Sequence, residues 1–286
     1  MQRKITSLGG LDDSFPLRLY EKANRLSWNP SSIDFTRDAA DWARLGDGGR
    51  EFFTTAATLF MSGEESVVHD LLPLLQVMAR EGRLEEELYL TTFLLEEGKH
   101  TDFFSRFLDA VQVERGDLAR YRSDAHHTFF DDEVNRSMGR LLRRPTPAAQ
   151  VRAVVTYCLI AEGVVAETGY RMLLSTLERK DLLPGLRQGV LFIKRDESRH
   201  VAYGLHVLSR LVHANPSLWK GVERRVRELH PVVLDLSNRT AEAWWAWDPD
   251  AMPLMPAAFA RLKRRMARIQ AARDSLPATF DEEDED

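Results

Sequence analysis

Few residues in this sequence staple or interrupt a chain. A single cysteine, Cys158, excludes an intrachain disulfide and any cysteine-rich metal or iron–sulfur site. Without a disulfide framework a reducing cytosol is the default compartment, so a cytoplasmic protein is expected. Prolines number 12 and glycines 16, and most lie between periodic stretches. No alternating Val/Ile/Thr run is flanked by an Asn-Gly or Asp-Gly turn, which leaves β-hairpins without support. There is no basic excess: 39 Lys and Arg stand against 44 Asp and Glu, a net charge of -5. Phosphate backbones are neutralised by such an excess, so nucleic acid is not expected as a partner. No stretch approaches the roughly 20 apolar residues that cross a bilayer, so no transmembrane segment is expected. The N-terminal MQRKITSLGG lacks an apolar run after its basic residues and does not read as a signal peptide.

What is present is helical periodicity. The chain has 286 residues, 44% of them hydrophobic, enough to bury a substantial core. Helices are expected near 13–27, 48–80, 84–112, 148–178, 186–213, 217–246 and 255–273. Gly82 punctuates the first long pair and Pro184-Gly185 the second. The WNPSSIDF segment is irregular because Pro30 forbids simple helix continuation. Residues 115–147 are more broken. The economical reading is all-α, one domain over 1–280 built on a four-helix bundle with additional helices. The DEEDED segment, 281–286, is too charged to pack and is expected to be disordered.

Two Glu-x-x-His motifs occur, Glu97-Gly98-Lys99-His100 and Glu197-Ser198-Arg199-His200. Positions i and i+3 of a helix lie about 60° apart, so carboxylate and imidazole point the same way. Chance supplies roughly 0.6 copies in a chain of this composition, so the motif alone decides little. The wider spacing decides more. Glu64 lies 33 residues before Glu97, and Glu162 lies 35 residues before Glu197. Each pair straddles a turn near its midpoint, about 17 residues or roughly 25 Å of helix away. Two antiparallel hairpins therefore bring Glu64, Glu97, His100, Glu162, Glu197 and His200 level with one another. One Glu from each of two helices, with Glu-x-x-His from each of the other two, is the ligand set of ferritin-like dinuclear carboxylate proteins. Most helical Glu and His are solvated, but Glu64 and Glu162 sit in apolar helices, where an unpaired carboxylate is costly. Oxygen-rich ligation with two imidazoles suits iron or manganese rather than structural zinc or copper. Glu97 and Glu197 are expected to bridge two ions. Glu64 and His100 complete one site, Glu162 and His200 the other.

The segments WNPSSIDFTRDAADW, SGEESV, FLLEEGKHTDFF, VRAVVTYCLIAEG and DESRH resemble the ribonucleotide reductase small subunit superfamily. The closer resemblance is to its ligand-binding oxidase branch, over roughly residues 15–235. It implies a heterodinuclear manganese–iron cofactor that activates dioxygen, with manganese beside Glu64 and His100 and iron beside Glu162 and His200. A di-iron centre is the variant. It further implies a bound long-chain fatty acid and an ether cross-link between a valine and a tyrosine, here matched by Val67 and Tyr157. Val67 is three residues after Glu64 and shares its face. Tyr157 is five residues before Glu162, about 140° away on an ideal α-helix, so a π-bulge between them is expected. The plain alternative for Tyr157 is a core tyrosine with a bonded hydroxyl.

Asp196 precedes Glu197 and is placed to orient His100, since metal-bound imidazoles donate their other N–H to a carboxylate. In the superfamily the equivalent aspartate also meets a tryptophan, and Trp28 matches. A core Trp and a solvated Asp are the plain alternative. Tyr170, eight residues after Glu162, either bonds near the site or fills the core. Phe93, Phe103, Phe104, Leu94, Val68, Leu71 and Val165 either line a ligand channel or pack as core.

Three activities compete: the oxidase, a reductase small subunit, and an iron-storage or structural ferritin-like bundle. The family's usual radical tyrosine is matched by Phe104, although a tyrosyl-radical-free manganese–iron subclass exists. None of the six tyrosines follows Tyr203, which disfavours a reductase needing a tail tyrosine. Storage bundles are usually shorter chains. The superfamily habit makes a homodimer the expected assembly.

Overall fold

Apolar residues recurring every three to four positions give helices whose buried stripes must meet. A computed structural model describes residues 10–116, 118–249 and 255–280. The DEEDED segment lies outside the described residues. Among the described residues there are twelve α-helices and no strand. They are α1 (Phe15–Arg25), α2 (Thr36–Arg44), α3 (Asp47–Asp70), α4 (Leu72–Glu81), α5 (Leu84–Ala110), α6 (Asp124–His126), α7 (Asn135–Arg143), α8 (Pro147–Val154), α9 (Glu167–Lys180), α10 (Pro184–Ala214), α11 (Trp219–Trp247) and α12 (Met255–Ala271). A π-helical stretch, His127–Val134, joins α6 to α7, and a second, Val155–Ala166, joins α8 to α9.

The observed elements follow the periodicity reading with two departures, a break near Leu71 and two helices outside the periodic segments. The stretch expected as one helix over 48–80 breaks at Leu71, because Pro73 has no N–H to continue the ladder. The second long turn falls where the spacing expects it, around Lys180–Gly185: Asp181 and Leu183 are left-handed, and Pro184 opens α10 two residues before the expected start at 186. Helices α2 and α7 lie outside the periodic segments. What α2 does becomes visible only in three dimensions. Its buried Asp38 accepts from the N–H groups of Gly185 and Leu186, each at 2.8 Å, and Asp41 accepts from Leu183 N at 3.0 Å. Those donors at the start of α10 have no partner within their own helix.

Helix α3 packs along α5, the α8–π–α9 run packs along α10, and α5 meets α10. The run Pro147–Lys180 contains one window long and apolar enough to cross a membrane, contrary to the expectation of none. Most of that window is buried inside the protein, so it is the bundle's core helix.

The buried apolar side chains form two clusters. On α5 one cluster takes Tyr89, Leu90 and Phe93, and the other takes Phe103 onward. On α10 the order reverses, with Val190 and Ile193 in the second cluster and Val201 onward in the first. Glu97 with His100, and Glu197 with His200, occupy the changeovers. The bundle thus has a polar waist between two dry ends.

Helices α5 and α10 approach so closely that a Cβ on Gly189 would overlap the Phe103 ring. Gly189→Ala is expected to destabilise the fold by about 1–3 kcal/mol through overpacking. Urea denaturation, read as a lower midpoint with an unchanged slope, checks this.

Candidate metal centre

Each of the four inner segments delivers its polar residues to the waist. Helix α3 carries Glu64 and Val67, and α5 carries Glu97 and His100. The π stretch carries Tyr157 and Glu162, and α10 carries Asp196, Glu197 and His200. The segment Val155–Ala166 is π-helical over twelve residues, longer than a single bulge. Its wider turn brings Tyr157 and Glu162 closer in angle than an α-helix allows. The distorted turns are tied from outside: Arg265 on α12 donates to the Gly163 carbonyl and, at 2.8 Å, to Glu167.

The six residues converge, all at most 6% exposed. Glu64, Glu97, His100 and Glu197 form one group that could hold an ion. Glu97, Glu162 and His200 form a second, with donor atoms in each group within 4.8 Å of one another. The imidazole rings are 6.1 Å apart. Both present Nδ1 to the acids. His100 Nδ1 lies 3.4 Å from Glu64, 3.8 Å from Glu97 and 3.6 Å from Glu197. His200 Nδ1 lies 3.0 Å from Glu97 and 3.7 Å from both Glu162 and Glu197. Glu97 and Glu197 each turn one oxygen to either histidine, the placement a bridging carboxylate requires.

The donors fit a pair of cations better than they fit one another. Glu97 Oε1, both oxygens of Glu162, Glu197 Oε2 and His200 Nδ1 are buried without a hydrogen-bond partner. His200 Nδ1 and Glu97 Oε1 approach to 3.0 Å without forming a hydrogen bond. Unsatisfied buried polar atoms are costly, and several aimed at one volume are a ligand set. Burial, reinforced by the neighbouring acids, pushes the carboxyls of Glu97 and Glu162 well above the usual range. Burial also opposes charge on Glu64, but its hydrogen bond with His100 and the His100 charge outweigh it and carry the group down to about 2. His100 and His200 are raised: burial works against their charge, and the carboxylates around them prevail.

Behind the cluster, His100 Nε2 lies 3.4 Å from Asp196 Oδ2, which accepts from Trp28 Nε1 at 2.7 Å. Tyr170 both fills the core, its ring 4.3 Å from Phe60, and donates its hydroxyl to Glu64. His200 Nε2 lies 3.0 Å from Glu96 Oε2, and its ring stacks on Phe93 at 3.5 Å. Glu96 was not among the sequence candidates. Its signal is a doublet: an acid precedes the Glu in both motifs, Glu96-Glu97 and Asp196-Glu197.

A cavity of about 250 Å³ opens from the acids and is lined mainly by apolar side chains, among them Val67, Phe60, Phe130, Met172 and Trp244. Of the apolar residues considered for a channel, Val165 lines it; Phe93, Phe103, Phe104, Leu94, Val68 and Leu71 do not. The cavity lies where α3, the π stretch, α9 and α11 meet, and spacing along α5 cannot reveal the approach of α11.

Glu97, Glu162, His100 and His200 are all shifted toward holding their protons, so a divalent cation that takes these donors competes with protons for them. Binding near neutral pH is expected to release protons and to weaken as pH falls. Calorimetry in buffers of different ionisation enthalpy reads the proton count, and a buffer-independent heat would contradict it.

Residues 11–239 match the family profile described as ribonucleotide reductase, small chain. Among solved structures the chain is similar to variants of an R2-like ligand-binding oxidase. One variant with an aerobically reconstituted Mn/Fe cofactor is 29% identical, covers 98% of this chain and 100% of its own, and has a TM-score of 0.85. Another aerobically reconstituted variant is 29% identical, covers 97% of this chain and 100% of its own, and has a TM-score of 0.87. An anaerobically reconstituted variant, also 29% identical, covers 98% and 100% at a TM-score of 0.85. The shared architecture is the all-α ferritin-like bundle. The profile match takes in every residue of the buried cluster, and this protein belongs to the ribonucleotide reductase small-chain family.

Proposed function

We propose that this protein is a dioxygen-activating oxidase, with a manganese–iron pair at the waist of its bundle and an apolar, carboxylate-headed ligand in the adjoining cavity. The observation that carries the reading is the set of orphaned buried donors facing an apolar cavity. Glu64 and His100 would hold one ion and Glu162 and His200 the other, with Glu97 and Glu197 available to both. Bound there, the metals supply the redox chemistry with dioxygen. The residues supply geometry and a dry surround. Four carboxylates match two divalent charges. Tyr170 steadies Glu64 through its hydroxyl, and Asp196 and Glu96 fix the tautomer and tilt of the histidines from behind. A long-chain fatty acid suits the cavity because its carboxylate reaches the cations while its tail replaces water along Phe60, Phe130 and Trp244.

Val67 and Tyr157 are the proposed cross-link partners. Val67 faces the cavity beside Glu64. Tyr157 is fully buried, and its hydroxyl has no hydrogen-bond partner. An ether bond between a Val67 carbon and the Tyr157 oxygen removes one hydrogen from each, with dioxygen as oxidant. The family resemblance extends the proposal to a cytoplasmic homodimer and to one metal-binding domain over 1–280.

A second reading, a tyrosyl-radical-free reductase subunit, is favoured by the family profile and by the Trp28–Asp196–His100 contacts. Anaerobic loading with Mn(II) and Fe(II), exposure to air and peptide mass spectrometry separates the two. The oxidase reading expects the Val67 and Tyr157 peptides joined with the loss of two hydrogens. Unlinked peptides, with nucleotide reduction in the presence of a large subunit, would select the reductase. Glu97→Ala or Glu197→Ala is expected to abolish uptake of the second ion; metal analysis finding two ions per chain in either variant would remove the bridging role.

A further inference from the structure

Both imidazoles lean on carboxylates outside the cluster, and both carboxylates end on one residue. Arg199 is 2% exposed. Its Nη2 donates to Glu96 Oε1 at 2.5 Å and to Asp196 Oδ1 at 2.5 Å. Its Nη1 donates to the Arg195 carbonyl at 3.1 Å, which fixes the plane of the guanidinium. The other oxygen of Glu96 faces His200 Nε2, and the other oxygen of Asp196 faces His100 Nε2. One nitrogen is therefore the meeting point of two chains, His200–Glu96–Arg199 and His100–Asp196–Arg199. Glu96 comes from α5, whereas Asp196 and Arg199 come from α10, so the bridge also pins the two motif helices together at the height of the cluster.

The chemistry favours this placement. Charge-assisted hydrogen bonds are short and directional. A guanidinium holds its donors in a rigid plane and does not give up its proton, so it makes a fixed reference for two acids. Without it, two carboxylates at 2% and 0% exposure would lose their nearest cation, leaving Glu96 with His200 alone and Asp196 anchored beside His100 only by Trp28 and a more distant Arg195.

We propose that Arg199 is a positioning residue for both metal-binding histidines at once, coupling the two ion sites through Glu96 and Asp196. The inference rests on the reading that the six residues hold two ions. It predicts a pattern that a merely structural arginine would not produce. Mn(II) alone, added anaerobically to the full chain, is the probe, with stoichiometry and affinity from calorimetry and far-UV circular dichroism to establish folding. The wild type is expected to take two ions. Glu96→Gln and Asp196→Asn should each weaken one ion by about 10- to 100-fold and leave the other tight. Arg199→Met should weaken both, as should the double variant Glu96→Gln/Asp196→Asn. Arg199→Lys, which keeps a buried cation with several donors, should recover most of both affinities. If the methionine variant does not fold, Arg199→Gln replaces it and should likewise weaken both ions.

Wild-type affinity kept at either ion site in Arg199→Met or Arg199→Gln would overturn the coupling. So would a lysine variant no better than the methionine one, since packing alone would then be at stake. A wild type that takes fewer than two ions would instead refute the six-residue site itself.

Discussion

Four carboxylates cannot stay charged in one apolar interior unless cations join them, and that constraint organises this protein. Glu64, Glu97, Glu162 and Glu197 are all at most 6% exposed, and several of their oxygens have no hydrogen-bond partner. Left to themselves, such groups resist ionisation, and burial with the neighbouring acids raises the carboxyls of Glu97 and Glu162 well above the usual range. The bundle keeps the donors together because apolar clusters on either side of the waist hold the helices in register. Stability and chemistry are therefore partly opposed at the same height of the fold: the ends close the bundle, and the middle keeps costly polar groups ready for ligands.

Several departures from ideal helix geometry serve that middle. The π-helical stretch Val155–Ala166 turns Tyr157 and Glu162 toward a common side, and Arg265 bonds one of its carbonyls from outside. Helix α2 lies far from α10 in sequence, yet its Asp38 and Asp41 satisfy the first donors of α10, the helix that carries Asp196, Glu197 and His200. Outside the six converging residues, each histidine is backed by one acid, and both acids converge on Arg199. The histidines are thus held by a chain of charged groups that is itself closed to water.

Much of the centre was legible in the order of residues. Two Glu-x-x-His motifs, each preceded by a Glu at hairpin distance, locate the six residues that converge, because helix rise and a midpoint turn convert spacing into height. The angular mismatch between Tyr157 and Glu162 pointed to a π distortion, though not to its length. Glu96 escaped notice because a Glu beside another Glu on a helix normally faces water. Arg199 escaped for the same reason. The cavity escaped because its far wall comes from α11, whose approach depends on how the whole bundle closes.

The order of residues alone fixes the class of fold, the helices that carry the donors and the heights at which those donors sit. These follow from local rules, namely periodicity, 1.5 Å of rise per residue and the behaviour of proline and glycine at turns. Which nitrogen of each histidine faces the acids, which acid stands behind each ring and where the apolar cavity opens are settled by the closed bundle. Those outcomes depend on the mutual rotation of helices far apart in the chain, and rotation is set by side-chain packing across the interface.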